Sequence, residues 1–253
     1  MEPSIQKDMP LYSLRRCYVD AFCFRHIAHL PPGSRVLDLG GDRVSKRGRF
    51  DIGRYDLRVV YANLTAAKQP HVQADANAVP FRGGCFDAVV CSELLEHVPD
   101  PLPVLRDAHR VLRVQGSLFV CVPFLFPLHP DPFDYGRYTD RYWNEQLARC
   151  GFESIEIEKQ GLFWSVAADM LRSYALSMDR QGRIQRLAAR FLLKKMAGWA
   201  MRTALARDAR TESQQHPLMG RFVQGFGISA KKASPARGAQ KTSGTPAEDR
   251  LQA

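Results

Sequence analysis

The chain has 253 residues, 45% of them apolar and 25% charged, the balance of a globular protein and too polar for a membrane-spanning bundle. Six cysteines without paired spacing, no bilayer-length apolar run and no basic-then-apolar start argue against a disulfide framework, structural zinc or a secretory leader, so the expectation is a cytoplasmic protein with free thiols and no metal site. The net charge of +10 lies entirely in residues 183–253, which hold 14 basic and 4 acidic side chains, while residues 1–182 balance.

Apolar positions at helical spacing (Leu11, Leu14, Tyr18, Phe22, Ile27) predict a helical segment over residues 1–30, stopped by Pro31-Pro32-Gly33. Short apolar runs follow at 35–40, 57–62, 86–91 and 118–122. Runs without alternation belong to strands covered on both faces, as in a parallel sheet. Between the last two, Val104, Leu105, Ala108, Val111 and Leu112 mark a helix. Thr139 is placed to cap a helix from about 140 to 150, with Gly151 closing it. Residues 153–158 alternate polar and apolar like a half-exposed strand. Two helices are predicted at 162–180 and 183–206, and a last strand at 221–230.

Alternating strands and helices give an α/β reading. The expected architecture is a doubly wound, mostly parallel sheet with a helical insertion before the last strand. The expected layout is a helical segment at 1–30, a core at 31–161, the insertion at 162–216, the final core strand at 217–232 and a disordered tail at 233–253.

Val36-Leu37-Asp38-Leu39-Gly40-Gly41 resembles the first motif of class I S-adenosylmethionine-dependent methyltransferases. Asp75-Ala76 with Val79-Pro80-Phe81 is similar to their DAxxLPF segment. The stretch from Phe86 to Val98, which reads FDAVVCSELLEHV, resembles the signature of the type 11 group, and residues 110–116 resemble its RVLxPGG segment. Four pieces in the right order imply the Rossmann-like, seven-stranded sheet of that family, with S-adenosyl-L-methionine as cofactor. The resemblance implies that Asp38, Gly40 and Gly41 line its methionine and ribose part, that Asp75 and Ala76 meet the adenine, and that Ser92 and Glu93 stand at the carboxyl edge of the sheet. Glycine at the end of the first strand lets the backbone turn and approach a ligand closely.

The chain departs from the family pattern in two places. Asp42 and Val44 stand where glycine recurs, and Gly48 and Gly53 disfavour a helix after the first strand, so a short or missing crossover helix and a basic loop are expected. Asn63 stands where the family carries an acid for the ribose hydroxyls, which predicts a weaker ribose contact.

Methyl transfer is largely alignment and exclusion of water, with a base needed only for a weak nucleophile. His97, His129 and Asp134 are the candidate catalytic groups. Residues 123–139, rich in proline and aromatics, resemble a loop of type 11 enzymes often associated with glycan pathways; Tyr135 and Arg137 are candidates for acceptor binding there. The expected partner is a small-molecule or glycan-type acceptor. Arg183, Arg186, Arg190 and Lys194 share a helical face, a pattern compatible with peripheral contact between residues 183–207 and the anionic inner face of the membrane. Two other readings are an RNA methyltransferase, which the basic back end suggests without any nucleic-acid module, and a non-catalytic scaffold keeping the fold.

Overall fold

The computed structural model describes residues 13–45, 48–129, 133–180 and 187–234. A first helix, α1 (Leu14–His26), is capped by Ser13, whose hydroxyl accepts from Arg16 N at 3.2 Å. The predicted helical positions before Ser13 and the tail beyond 234 lie outside the described residues.

The sheet is built from β1 (Arg35–Leu39), β2 (Arg58–Asn63), β3 (Val72–Gln73), β4 (Phe86–Ser92), β5 (Leu112–Pro123), β6 (Phe152–Gln160) and β7 (Gly225–Lys232). Its order is β3-β2-β1-β4-β5-β7-β6, parallel through β5, with β7 antiparallel to both neighbours. Helix α2 (Pro101–Val111) links β4 to β5, and α3 (Asp140–Arg149) links β5 to β6. Thr139 caps α3 by accepting from Tyr142 N, and Gly151 beyond its end takes φ +90°. Helices α4 (Phe163–Arg180), α5 (Leu187–Asp208) and α6 (Thr211–Gln215) stand between β6 and β7.

The unbroken apolar runs follow from burial on both faces. Leu37, Val89, Cys91, Leu118 and Val120 point into one core with Val104, Leu105 and Ala108 of α2. Their alternates Val36, Ala88, Val90, Phe119 and Cys121 point into the other, with Val19, Phe22 and Cys23 of α1. Each fully buried aliphatic or aromatic side chain contributes about 1.5–3 kcal/mol, so the two layers clamp the strands whose ends form the site.

The elements differ from expectation in three places. β5 begins at Leu112, well before the apolar run at 118. The two-residue β3 has no run of its own. The last strand starts at Gly225 rather than 221, because Met219–Arg221 is a turn of 3-10 helix, with His216 Nδ1 accepting from the Leu218 and Met219 amides. No helix among the described residues is long and apolar enough to cross a membrane.

Candidate functional site

The strand order reverses between β1 and β4, and there the carboxyl ends of the strands open a crevice. A cavity of about 560 Å³ occupies it, a volume ordinary for a small-molecule site. The turns after β1, β2, β3 and β4 wall it, and one side of α1 (Val19, Cys23), with Ile27 just beyond its end, covers it. Asp38, Gly40, Gly41, Asn63, Asp75, Ala76, Ser92 and Glu93, the sequence candidates for cofactor contact, all line this one cavity, and His97 lines it too.

The turn after β1 is shaped by its glycines. Gly40 takes φ +81°, and a Cβ on Gly41 would fall 2.3 Å from the Asp38 carboxylate, so only glycine leaves room beside that carboxylate. Asn63 holds the turn from the next strand: Nδ2 donates to Gly40 O at 2.8 Å and Gly41 O at 3.1 Å, while Oδ1 accepts from Thr65 N at 3.1 Å. An acid could make neither donation. The departure from the family acid thus fixes the glycine turn, while Asn63 still lines the cavity. Asp42 likewise replaces glycine by folding its own turn: it accepts from the Val44 and Ser45 amides and pairs with Lys68 at 3.0 Å. Among the described residues of this crossover the only helix is the 3-10 turn Ile52–Arg54.

Glu93 is fixed by a residue that the sequence did not single out. Arg15 on α1 reaches its carboxylate at 2.5 Å and donates through Nη1 to Gln160 Oε1 at 2.6 Å. Burial pushes Glu93 up, but the charge and hydrogen bonds of Arg15 outweigh it and hold the carboxyl below the usual range. Gly225 makes space for the guanidinium, since a Cβ there would lie 2.2 Å from Nη1. Asp20, also on α1, lines the cavity and accepts from Arg49 N at 2.6 Å, tying down the basic loop; burial pushes its carboxyl up to about 6.

Beyond the cavity, the loops after β4 and β5 meet. Tyr135 N donates to Glu96 O at 2.7 Å. His97 and His129 stand edge to face with centroids 5.2 Å apart. Their Nε2 atoms lie 3.7 and 3.9 Å from Glu96 Oε1. Asp134 accepts from His129 N at 3.0 Å and holds Arg137 through both oxygens, which brings its carboxyl down to about 2. Arg137, a candidate for acceptor binding, is therefore engaged with Asp134, whereas Tyr135 is 50% exposed. Glu96 is buried, and that burial, with the Glu93 charge second, pushes it up to about 8. Glu96 was visible in the sequence only as part of the LEHV stretch; nothing there marked it as buried. The expected basic face through Arg183, Arg186, Arg190 and Lys194 lies outside the described side chains.

Residues 49–120 match the sequence model of a family described as Methyltransferase domain, Methyltransf_11. A ubiquinone biosynthesis O-methyltransferase of Xanthomonas campestris pv. campestris is 34% identical over 124 residues, which are 44% of this chain and 51% of that protein. The chain thus spans about half the length of the curated relatives it matches. Among solved structures, phosphoethanolamine N-methyltransferase 2 of Haemonchus contortus, in complex with S-adenosyl-L-methionine, superposes with TM-score 0.51 at 16% identity, covering 85% of this chain and 52% of that one. The 1,6-didemethyltoxoflavin-N1-methyltransferase of Burkholderia thailandensis, with its namesake ligand and S-adenosylhomocysteine bound, gives TM-score 0.51 at 15% identity, covering 88% and 80%.

Proposed function

We propose that this chain, a member of the type 11 family of class I methyltransferases, binds S-adenosyl-L-methionine in the crevice between β1 and β4 and directs its methyl group to a small-molecule acceptor. The observation that carries the reading is the meeting of four separate motif segments around one cavity of suitable size. The cofactor fits the residues present: Gly41 leaves the floor open where a Cβ would meet Asp38, and Asn63 holds the turn through both glycine carbonyls.

When bound, S-adenosylmethionine supplies an electrophilic methyl group on a sulfonium. The protein's work is to orient and to dry. Asp75 and Ala76 serve the adenine end, and the Gly40-Gly41 turn with Asp38 serves the opposite end. Ser92 lines the cavity at the end of β4, and Glu93, held by Arg15, keeps that strand end rigid. His97 or His129 takes the proton of an acceptor hydroxyl, with Asp134 orienting His129. The O-methyltransferase relatives support an oxygen acceptor, and the loop at 123–139 supports a small polar molecule such as a sugar. Exposed Phe191 and Trp199 on α5 support peripheral contact of residues 183–207 with a membrane, and the basic residues of that stretch in the sequence are the reason for choosing an anionic one. Cosedimentation with anionic vesicles, lost on charge-neutral ones, tests that contact.

Calorimetric titration with S-adenosylmethionine and S-adenosylhomocysteine tests the central reading. Wild type is expected to bind both, and Asp75→Ala to lose about 1–3 kcal/mol, the cost of one removed polar partner. Failure to bind either ligand at about millimolar concentration removes the reading.

A further inference from the structure

We propose that Glu96, His97 and His129 form a binding site for a divalent transition-metal cation. The three side chains bring one ligand atom each within 4.8 Å of one another, the one such cluster among the described residues. Glu96 and His97 sit in the 3-10 turn Leu95–His97 after β4, and His129 in the loop after β5. β4 and β5 are parallel neighbours, so both loops leave the same edge of the sheet.

The hydrogen bonds fix what the cluster can accept. His97 Nδ1 lies 2.6 Å from Phe133 O, and a carbonyl cannot donate, so Nδ1 carries a proton and, in the neutral ring, Nε2 carries the lone pair. His129 Nδ1 lies 3.1 Å from Pro127 O and 3.4 Å from Asp134 Oδ2, with Arg137 Nη2 farther off at 3.5 Å, which assigns the same tautomer. Both Nε2 atoms therefore face Glu96 as acceptors. Both Glu96 carboxylate oxygens are buried and have no hydrogen-bond partner. In the neutral rings two lone pairs thus face a buried carboxyl that has no hydrogen-bond partner and that would give up its proton on binding an ion, and each imidazole has its far nitrogen held by an oxygen, the arrangement that orients metal-ligating histidines. The two His–Glu96 gaps of 3.7 and 3.9 Å, in a cluster whose ligand atoms spread to within 4.8 Å, exceed the ~3.3 Å edge of a tetrahedron with bonds of about 2.05 Å, so the two loops would draw together on an ion.

Two imidazoles and one carboxylate favour zinc-like ions over magnesium or calcium. Three protein ligands leave the coordination open, and His97 also lines the cavity, so the open side adjoins it. An oxygen of the acceptor is the ligand class that suits it. With Nε2 of both rings occupied, the ion rather than an imidazole would ease loss of the hydroxyl proton, which would leave to solvent. This use of the ion rests on the proposed function, whereas the site itself does not. The ligands come from two loops and include no cysteine, which is why no spacing motif announced them and no metal was expected.

The test uses the full chain stripped with chelator, then titrated with Co²⁺ alone near neutral pH and read by visible absorption and by retained metal. About one Co²⁺ per chain is expected, with binding weakened at least about tenfold in His129→Ala and in Glu96→Gln, each checked for a wild-type circular dichroism spectrum. Retention below about a tenth of an ion per wild-type chain overturns the site. Unchanged affinity in the Glu96→Gln/His129→Ala double variant overturns it as well. S-adenosylmethionine titration of the same stripped protein keeps the two readings apart: a chain that binds the cofactor without cobalt loses only the metal site, and one that binds cobalt alone loses only the methyltransferase reading.

Discussion

The guanidinium of Arg15 lies 2.5 Å from the carboxylate of Glu93, with 3% and 9% of the two side chains exposed. The pair joins α1, which precedes the sheet, to the end of β4, where Glu93 takes φ +53°. A left-handed glutamate persists only where its surroundings hold it. Here the hold is the ion pair, the Gln160 oxygen and the space left by Gly225. The same helix covers the cavity, so its docking and the shape of the site are one event.

Removing one partner of a buried pair costs far more than removing both, because it strands a charge. Arg15→Leu is expected to lower stability in urea denaturation by about 3–5 kcal/mol, and Arg15→Leu/Glu93→Leu to recover most of that. A single variant within about 1 kcal/mol of wild type would mean that Glu93 is already neutral or solvated.

Asn63→Asp restores the family's acid and is expected to weaken cofactor binding, against what the family pattern alone suggests. The new carboxylate would face the carbonyls of Gly40 and Gly41 without a proton to donate, at a cost of about 1–3 kcal/mol. Calorimetry against S-adenosylhomocysteine measures it; a gain in affinity would show that the ribose contact outweighs the turn.

What the sequence made legible was what repeats locally. The strands could be read because alternate residues, such as Val36 and Leu37, are buried on opposite faces, which leaves an apolar run. β3 left no such trace in two residues, and the apolar Phe222 and Val223 looked like strand although the His216 turn delays β7. The cavity candidates were legible as motif segments. Their partners were not: that Arg15 meets Glu93, or that Glu96 faces two imidazoles, is decided by tertiary packing. Asn63 could be seen to depart from the pattern, but its bonds to two carbonyls lie outside any local rule.

Asp208, at the end of α5, caps the start of α4. Its Oδ2 accepts from Leu162 N and Ser165 N, both at 2.9 Å, and its Oδ1 from Trp164 N at 3.2 Å. These are amides that a helix start leaves unsatisfied. Asp208→Ala is expected to cost about 1–3 kcal/mol and to speed hydrogen exchange at Leu162 and Ser165 while leaving the β4 amides protected. Equal acceleration in β4 would show that α4 and the core open together.

Asp20 gives stability a pH dependence of unusual sign. Burial raises its carboxyl to about 6 in the folded chain, against about 3.9 when unfolded. Between these values the folded state holds a proton that the unfolded state has lost, so this residue's contribution worsens as pH rises from about 4 to 6 and stays unfavourable above that. The full difference is about 1–3 kcal/mol at 1.36 kcal/mol per unit, discounted for the exposed part of the group. Asp20→Asn keeps an oxygen for the Arg49 amide and cannot ionise. The variant should therefore gain on wild type as pH rises from about 4 to 7, in denaturation curves run side by side. A difference that is flat with pH would place the Asp20 carboxyl in its ordinary range, and with it the basic loop in a far wetter setting than its contact with α1 implies.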